Sequence, residues 1–151
     1  MDKGVYCLIF KNHGVTLSVG ALGDLTFQEG WHIYVGSALG SGGLKRLYRH
    51  ISLAHMHDKK PKWHIDYLLT NPGFSLRYAI FAVTQEQFEC RLARSLSKSG
   101  IPGFGCSDCS CLSHLLFRQQ DPKEEILNAC RDLELEPVIK TIISSCVQDN
   151  I

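Results

Sequence analysis

No apolar run in this 151-residue chain approaches the roughly 20 residues a membrane-spanning helix needs, so a bilayer span is not expected. The opening residues, Met1-Asp2-Lys3-Gly4, lack the charged and apolar regions of a signal peptide, and the expectation is a cytoplasmic protein. Internal repeats and low-complexity tracts are missing too. Net charge is also nearly absent, at +1 from 16 Lys+Arg against 15 Asp+Glu. That balance hides a division at Arg118. Residues 1–118 carry 13 Lys+Arg against 8 Asp+Glu and all seven histidines, whereas residues 119–151 carry 3 against 7. Only the first part suits a polyanionic partner. The seven cysteines are an odd number in a chain of a size that needs no disulfides, so free thiols or metal ligands are expected over a disulfide framework.

What is present is a composition, 44% hydrophobic and 21% charged, that fits one domain with a proper core. Residues 4–10 are rich in β-branched and aromatic side chains and end at a turn signal, which predicts a first strand. Residues 15–19 and 25–28, separated by a glycine-bearing turn, predict a hairpin, and residues 31–35 a further strand. After Gly40-Ser41-Gly42-Gly43 the period becomes helical. Leu44, Leu47, Tyr48 and Ile51 fall on one face, and Arg46, Arg49 and His50 on another. Residues 63–69 read as a short helix and 76–83 as a strand. Thr84 is placed as the cap of a helix running to about Ser99, with Phe88, Leu92, Ala93 and Leu96 as its buried stripe. Residues 103–114 read as a loop, and Asp121-Pro122 opens the first of two helices, 122–133 and 136–147. The expected fold is α+β, a small, mainly antiparallel sheet flanked by helices, with one domain over 1–118 and a helical C-terminal extension over 119–151 packed on it.

Three motifs stand out in these elements: Gly4-Val5-Tyr6 on the first strand, Tyr34-Val35-Gly36 on a later one, and Arg46-Leu47-x-x-His50 on the next helix. Together these resemble the GIY-YIG nuclease superfamily, which implies a GIY-YIG-like nuclease domain over 1–118. Tyr34-Val35-Gly36-Ser37-Ala38-Leu39-Gly40, Trp63-His64-Ile65-Asp66-Tyr67, Glu89-Cys90, and Gly103-Phe104-Gly105 leading into Ser107-Asp108-Cys109 resemble the branch associated with endonuclease III-type DNA glycosylases. The resemblance implies a metal-dependent DNA endonuclease, and the association with those glycosylases implies a place in repair. Tyr6 then activates or positions water, Tyr34 lines the site, Arg46 binds the scissile phosphate, and Glu89 holds Mg2+ or Mn2+. Hydrolysis of a phosphodiester needs these functions: an activated water, neutralised charge and a stabilised leaving oxygen. Tyrosine is a poor base at its usual pKa near 10, so its role calls for a nearby cation to lower that value.

Each residue also has a plainer role. Tyr6 and Tyr34 suit ordinary strand packing, and Arg46 a solvated helix face. Glu89 shares a helical face with Leu92 and Ala93, so its inward carboxylate needs a partner, either a metal or a basic side chain. His50, one turn after Arg46, suits a proton carrier, a phosphate contact or a neutral surface histidine. Lys45, Arg49, Lys60, Lys62 and Trp63 are the candidate nucleic-acid contacts, with Trp63 either stacking on a base or sitting in the core. His64 and Asp66 suit a second metal or proton-transfer site, or structural hydrogen bonds.

Residues 106–114 place Cys106, Cys109, Cys111 and His114 within nine positions. Zn2+ is one reading, although no second ligand pair stands at the usual spacing; free thiols are another, and a Cys109 nucleophile with His114 as base a third. Two departures from the superfamily stand out. Tyr6 and Tyr34 are widely separated, the predicted hairpin filling the gap, and the asparagine that usually ends the core after a proline-led turn is replaced by Pro102-Gly103-Phe104-Gly105, leaving Asp108 or His114 as substitutes. A nucleic-acid-binding module without catalysis, or a zinc- or thiol-based protein centred on residues 106–114, are the alternatives.

Overall fold

The computed structural model describes residues 2–56, 60–96 and 114–142. Five antiparallel strands form one sheet in the order β6-β4-β1-β5-β7: β1 (Gly4–Asn12), β4 (Gly30–Ala38), β5 (Phe74–Val83), β6 (Leu115–Arg118) and β7 (Val138–Thr141). The expected α+β architecture is thus what the chain adopts. β1 is the middle strand because nearly all of its nine residues are buried, so it needs a covering layer on both faces. Its alternation sorts them: Tyr6, Leu8 and Phe10 point into one core, Val5, Cys7 and Ile9 into the other.

The first layer is built from α1 (Lys45–Met56), α2 (His64–Leu69) and the hairpin β2 (Val15–Ser18) and β3 (Asp24–Phe27), which pair only with each other. The predicted hairpin is therefore present between the two tyrosine-bearing strands. The second layer is α3 (Glu89–Leu96) and α4 (Lys123–Asp132), whose stripes Leu92, Ala93, Leu96 and Ile126, Leu127, Cys130 cover Val5, Cys7 and Ile9.

Three local expectations need correction. The helix placed from Thr84 begins at Glu89 instead. The Thr84 hydroxyl accepts from the Glu86 amide at 3.2 Å, closing a local turn, and the helical ladder starts with Leu92 N–H donating to the Phe88 carbonyl at 2.8 Å. Its proposed end near Ser99 lies outside the described residues. Residues 115–118, left unassigned, form β6, an edge strand held by β4. A helix predicted from Glu136 is a strand over Val138–Thr141, paired with β5. Val138, Ile139 and Thr141 are β-branched and follow Pro137, and they complete a sheet edge that helical spacing cannot reach. The extension thus holds a helix followed by a strand.

Candidate functional site

Tyr6 and Tyr34 stand on adjacent strands inside the sheet: Tyr6 pairs with Gly36 and Tyr34 with Leu8. Gly36 is required there. A Cβ at that position would collide with the Tyr6 ring, so the glycine of the second tripeptide makes room for the tyrosine of the first. Tyr6 is 2% exposed, and Tyr34 is half-buried against the same layer.

α1 then brings His50 onto Tyr6. The sequence puts His50 on the basic face and Tyr48 on the apolar one, and the structure reverses both: His50 is 2% exposed and Tyr48 43% exposed. The buried stripe runs Leu47, His50, Ile51, so the histidine occupies a core position one turn past Leu47. Its Nε2 lies 2.8 Å from Tyr6 Oη. Burial lowers the His50 pKa to about 4, with Arg49 and Arg46 adding to the fall and Asp66 opposing it. Burial also pushes the Tyr6 phenol well above its usual value. Tyr34 and Glu89 push in the same direction, while Arg46 and Arg49 pull it down. The cations expected to acidify Tyr6 are therefore in reach but are outweighed by desolvation. Both rings are neutral at pH 7, and the tautomer of His50 sets which of the two donates in this bond.

Arg46 is exposed at the rim, where Nη1 donates to the Ser37 carbonyl at 2.9 Å, tying the guanidinium to the strand that carries Tyr34. Lys45, Arg46 and Arg49 line a depression of about 370 Å³ with the glycine loop Gly40, Ser41, Gly42 and Gly43. Trp63 is half-buried at the start of α2 and gathers cations on its ring: Arg49 at 4.3 Å, Arg46 at 5.2 Å and Lys62 at 5.7 Å from the centroid. Lys60 is exposed nearby in sequence, without a place in this cluster. Asp66 is buried, and its Oδ2 accepts from the amides of Lys62 at 2.9 Å and Trp63 at 3.0 Å, which fixes the loop bearing both. His64 is half-buried at the first position of α2.

Glu89 comes from the opposite layer, at the first residue of α3. Its carboxylate lies 3.4 Å from Nδ1 of His114, a partner that sequence reasoning did not assign to it. Cys90 Sγ lies 3.8 Å from Nε2 of the same ring. Among the described residues this is the grouping of three metal-capable side chains, and it includes neither His64 nor Asp66. A half-open carboxylate at a helix start suits the hydrated divalent ion that the resemblance implies, since Mg2+ is commonly bound through one or two carboxylates and keeps several waters. Cys106, Asp108, Cys109 and Cys111 lie outside the described residues. Cys90 went unnoticed as a ligand because its partner is 24 positions away, and no short spacing signals such a pair.

Residues 5–135 match a family model described as a domain of unknown function, DUF123. The chain belongs to the DUF123 family. That family is GIY-YIG-like, in keeping with the two tripeptides on adjacent strands and the arginine and histidine on α1. No curated protein and no solved structure matches the chain. The DUF123 match runs past Arg118 through α4, so the family unit includes the helix that closes the second layer.

Proposed function

We propose that this DUF123 chain is a metal-dependent endonuclease that hydrolyses DNA phosphodiesters, with a role in repair. The observation that carries this reading is the buried Tyr6–His50 pair, 2.8 Å apart, sensing the opposed charges of Arg46 and Glu89. A structural tyrosine needs neither a buried histidine partner nor a guanidinium at its rim. Arg46 binds the scissile phosphate, helped by Lys45 and the glycine loop. Tyr6 orients the attacking water through its phenol, and His50 holds that phenol and takes up proton density behind it. Tyr34 walls the site. Arg49, Lys62 and Trp63, with Lys60 beyond them, follow the flanking backbone. A divalent ion at Glu89, Mg2+ or Mn2+, supplies charge neutralisation at the phosphoryl oxygens.

The direct test incubates the protein with single-stranded, duplex, nicked and branched DNA, with and without Mg2+ or Mn2+, beside Tyr6→Phe and Glu89→Gln. Metal-dependent cleavage lost in both variants is the expected result. Equal cleavage by wild type and variants would sink the site. A second reading, a nucleic-acid-binding module without chemistry, draws support from the neutrality of both Tyr6 and His50. It predicts binding without cleavage in either metal.

A further inference from the structure

Glu89 and Cys90 open α3, and His114 immediately precedes β6. The His114 backbone is fixed to the sheet, its carbonyl accepting from the Val35 amide at 2.9 Å, and its side chain is fully buried. Three side chains of different kinds, offering a carboxylate oxygen, a cysteine sulfur and an imidazole nitrogen, therefore meet at the junction of two rigid elements. One ligand atom from each lies within 4.8 Å of the others.

We propose that, once Cys90 is reduced, Glu89, Cys90 and His114 bind one ion of the zinc class. Bonds of about 2.0–2.3 Å at tetrahedral angles hold ligand atoms roughly 3.3–3.6 Å apart. The Glu89 oxygen stands 3.4 Å from Nδ1 and the Cys90 sulfur 3.8 Å from Nε2, opposite nitrogens of one ring, and an ion takes only one of them. With a single nitrogen the three ligand atoms lie within 4.8 Å, so side-chain rotation of about 1 Å brings the set to bonding separations. Sulfur and nitrogen donors select a borderline-soft ion, whereas Mg2+ asks for oxygen.

Cys90 is disulfide-bonded in the structure, so the site is complete only after reduction. Two thiol equivalents of a reductant become its disulfide, the protein's disulfide becomes two thiols, and the Cys90 thiol releases its proton to solvent as the sulfur takes the metal. Oxidation state thus decides whether the third donor is available. The inference stands on this cluster alone and does not need the nuclease reading; in the reduced chain this ion takes the Glu89 carboxylate in place of the Mg2+ or Mn2+ proposed above, and its readout is metal binding.

The test strips the full chain with chelator, reduces it with a phosphine, and titrates it with Zn2+ and then with Co2+ as a spectroscopic probe. The expected result is one equivalent of tightly bound ion, with a near-ultraviolet sulfur-to-cobalt charge-transfer band. Cys90→Ser should abolish the band and weaken binding by about 100-fold, and Glu89→Gln and His114→Gln should weaken it by about 10- to 100-fold. The oxidised chain should bind about as weakly as Cys90→Ser. If circular dichroism shows that His114→Gln is unfolded, the other two variants decide, because Glu89 and Cys90 are only half-buried. The proposal is overturned by no stoichiometric binding, by equal affinity in Cys90→Ser and Glu89→Gln, which would place the ion elsewhere, or by equal affinity in the oxidised chain.

Discussion

The two layers that cover this sheet treat their polar groups in opposite ways. On the α1–α2 side, Tyr6, His32 and His50 are each 2% exposed, and burial dominates their titration: the phenol is raised and both imidazoles are lowered to about 4. On the α3–α4 side, Glu89 remains 17% exposed beside His114 and Cys90. One layer keeps its functional groups neutral and dry, and the other gathers donors suited to a cation. A site that meets a polyanion needs both, because a neutral relay cannot offset phosphate charge and a cation site alone does not orient water. Neither layer carries the proposed chemistry without the other, and Gly36 sits where the Tyr6 ring meets the neighbouring strand.

The largest effect that would expose this difference is acid sensitivity. His32 has no hydrogen-bond partner for Nδ1 among the described residues and is ringed by Phe27, Phe74 and Phe117 at 5.3–5.6 Å. His32 and His50 both have folded pKa values of about 4 against an ordinary 6.5. Above pH 6.5 neither state binds the proton. Between 6.5 and 4 the unfolded chain binds it and the folded chain does not, so stability falls with pH across that window and levels off below it. Each histidine contributes roughly 3 kcal/mol to this loss. Urea denaturation at pH 7.5, 6, 5 and 4.5 should show the decline, and His32→Leu should remove about half of it. A flat profile through the window would break the picture of a neutral, dry layer.

Next in size is the catalytic comparison. Tyr6→Phe removes the hydroxyl on one side of the sheet, and Glu89→Gln removes the charge on the other. Each should reduce the rate of DNA cleavage by about 100- to 1,000-fold, within the range of acid–base and electrostatic groups. The double variant should lose less than the product of the two if they act on one transition state. Simple multiplication of the losses would separate the layers functionally.

Gly36→Ala probes the position at which Tyr6 is seated. Its new Cβ meets the Tyr6 ring, so the ring must shift or the strands must part, at a cost of about 1–3 kcal/mol. Combining it with Tyr6→Ala should restore much of that loss, since the colliding ring is gone. Denaturant midpoints of the two single variants and the pair measure it. Additive losses would show that Gly36 is needed for some reason other than Tyr6.

Much of the first layer was legible in the sequence. The strands of Tyr6 and Tyr34, the hairpin between them and the helix of Arg46 all announce themselves by alternation, turn residues or helical period, and the pairing of Tyr6 with Gly36 follows once those strands are neighbours. His50 was found as a residue but placed on the wrong face, because Arg46, Arg49 and His50 look alike in charge while only His50 can be neutral in a core. The second layer was less legible. β6 and β7 are four-residue edge strands whose assignment depends on β4 and β5, and Glu89, Cys90 and His114 meet only through the fold. Short-range patterns carry no record of such meetings.

The smallest effect distinguishes the layers by their surface charge. Arg49 and Lys62 gather on Trp63 beside the glycine loop, whereas Arg91 is exposed on α3, stacked over Phe88 at 4.7 Å. If only the first layer follows the DNA backbone, Arg49→Ala and Lys62→Ala should each lower affinity a few-fold and reduce the slope of log K against log salt by about 1, uniformly across sequences. Arg91→Ala should leave both unchanged. Fluorescence anisotropy over a range of salt concentrations reads all three. An equal change of slope for Arg91→Ala would mean that charge anywhere on the molecule suffices, and the cluster on Trp63 would then be a packing feature of the first layer and not its contact with DNA.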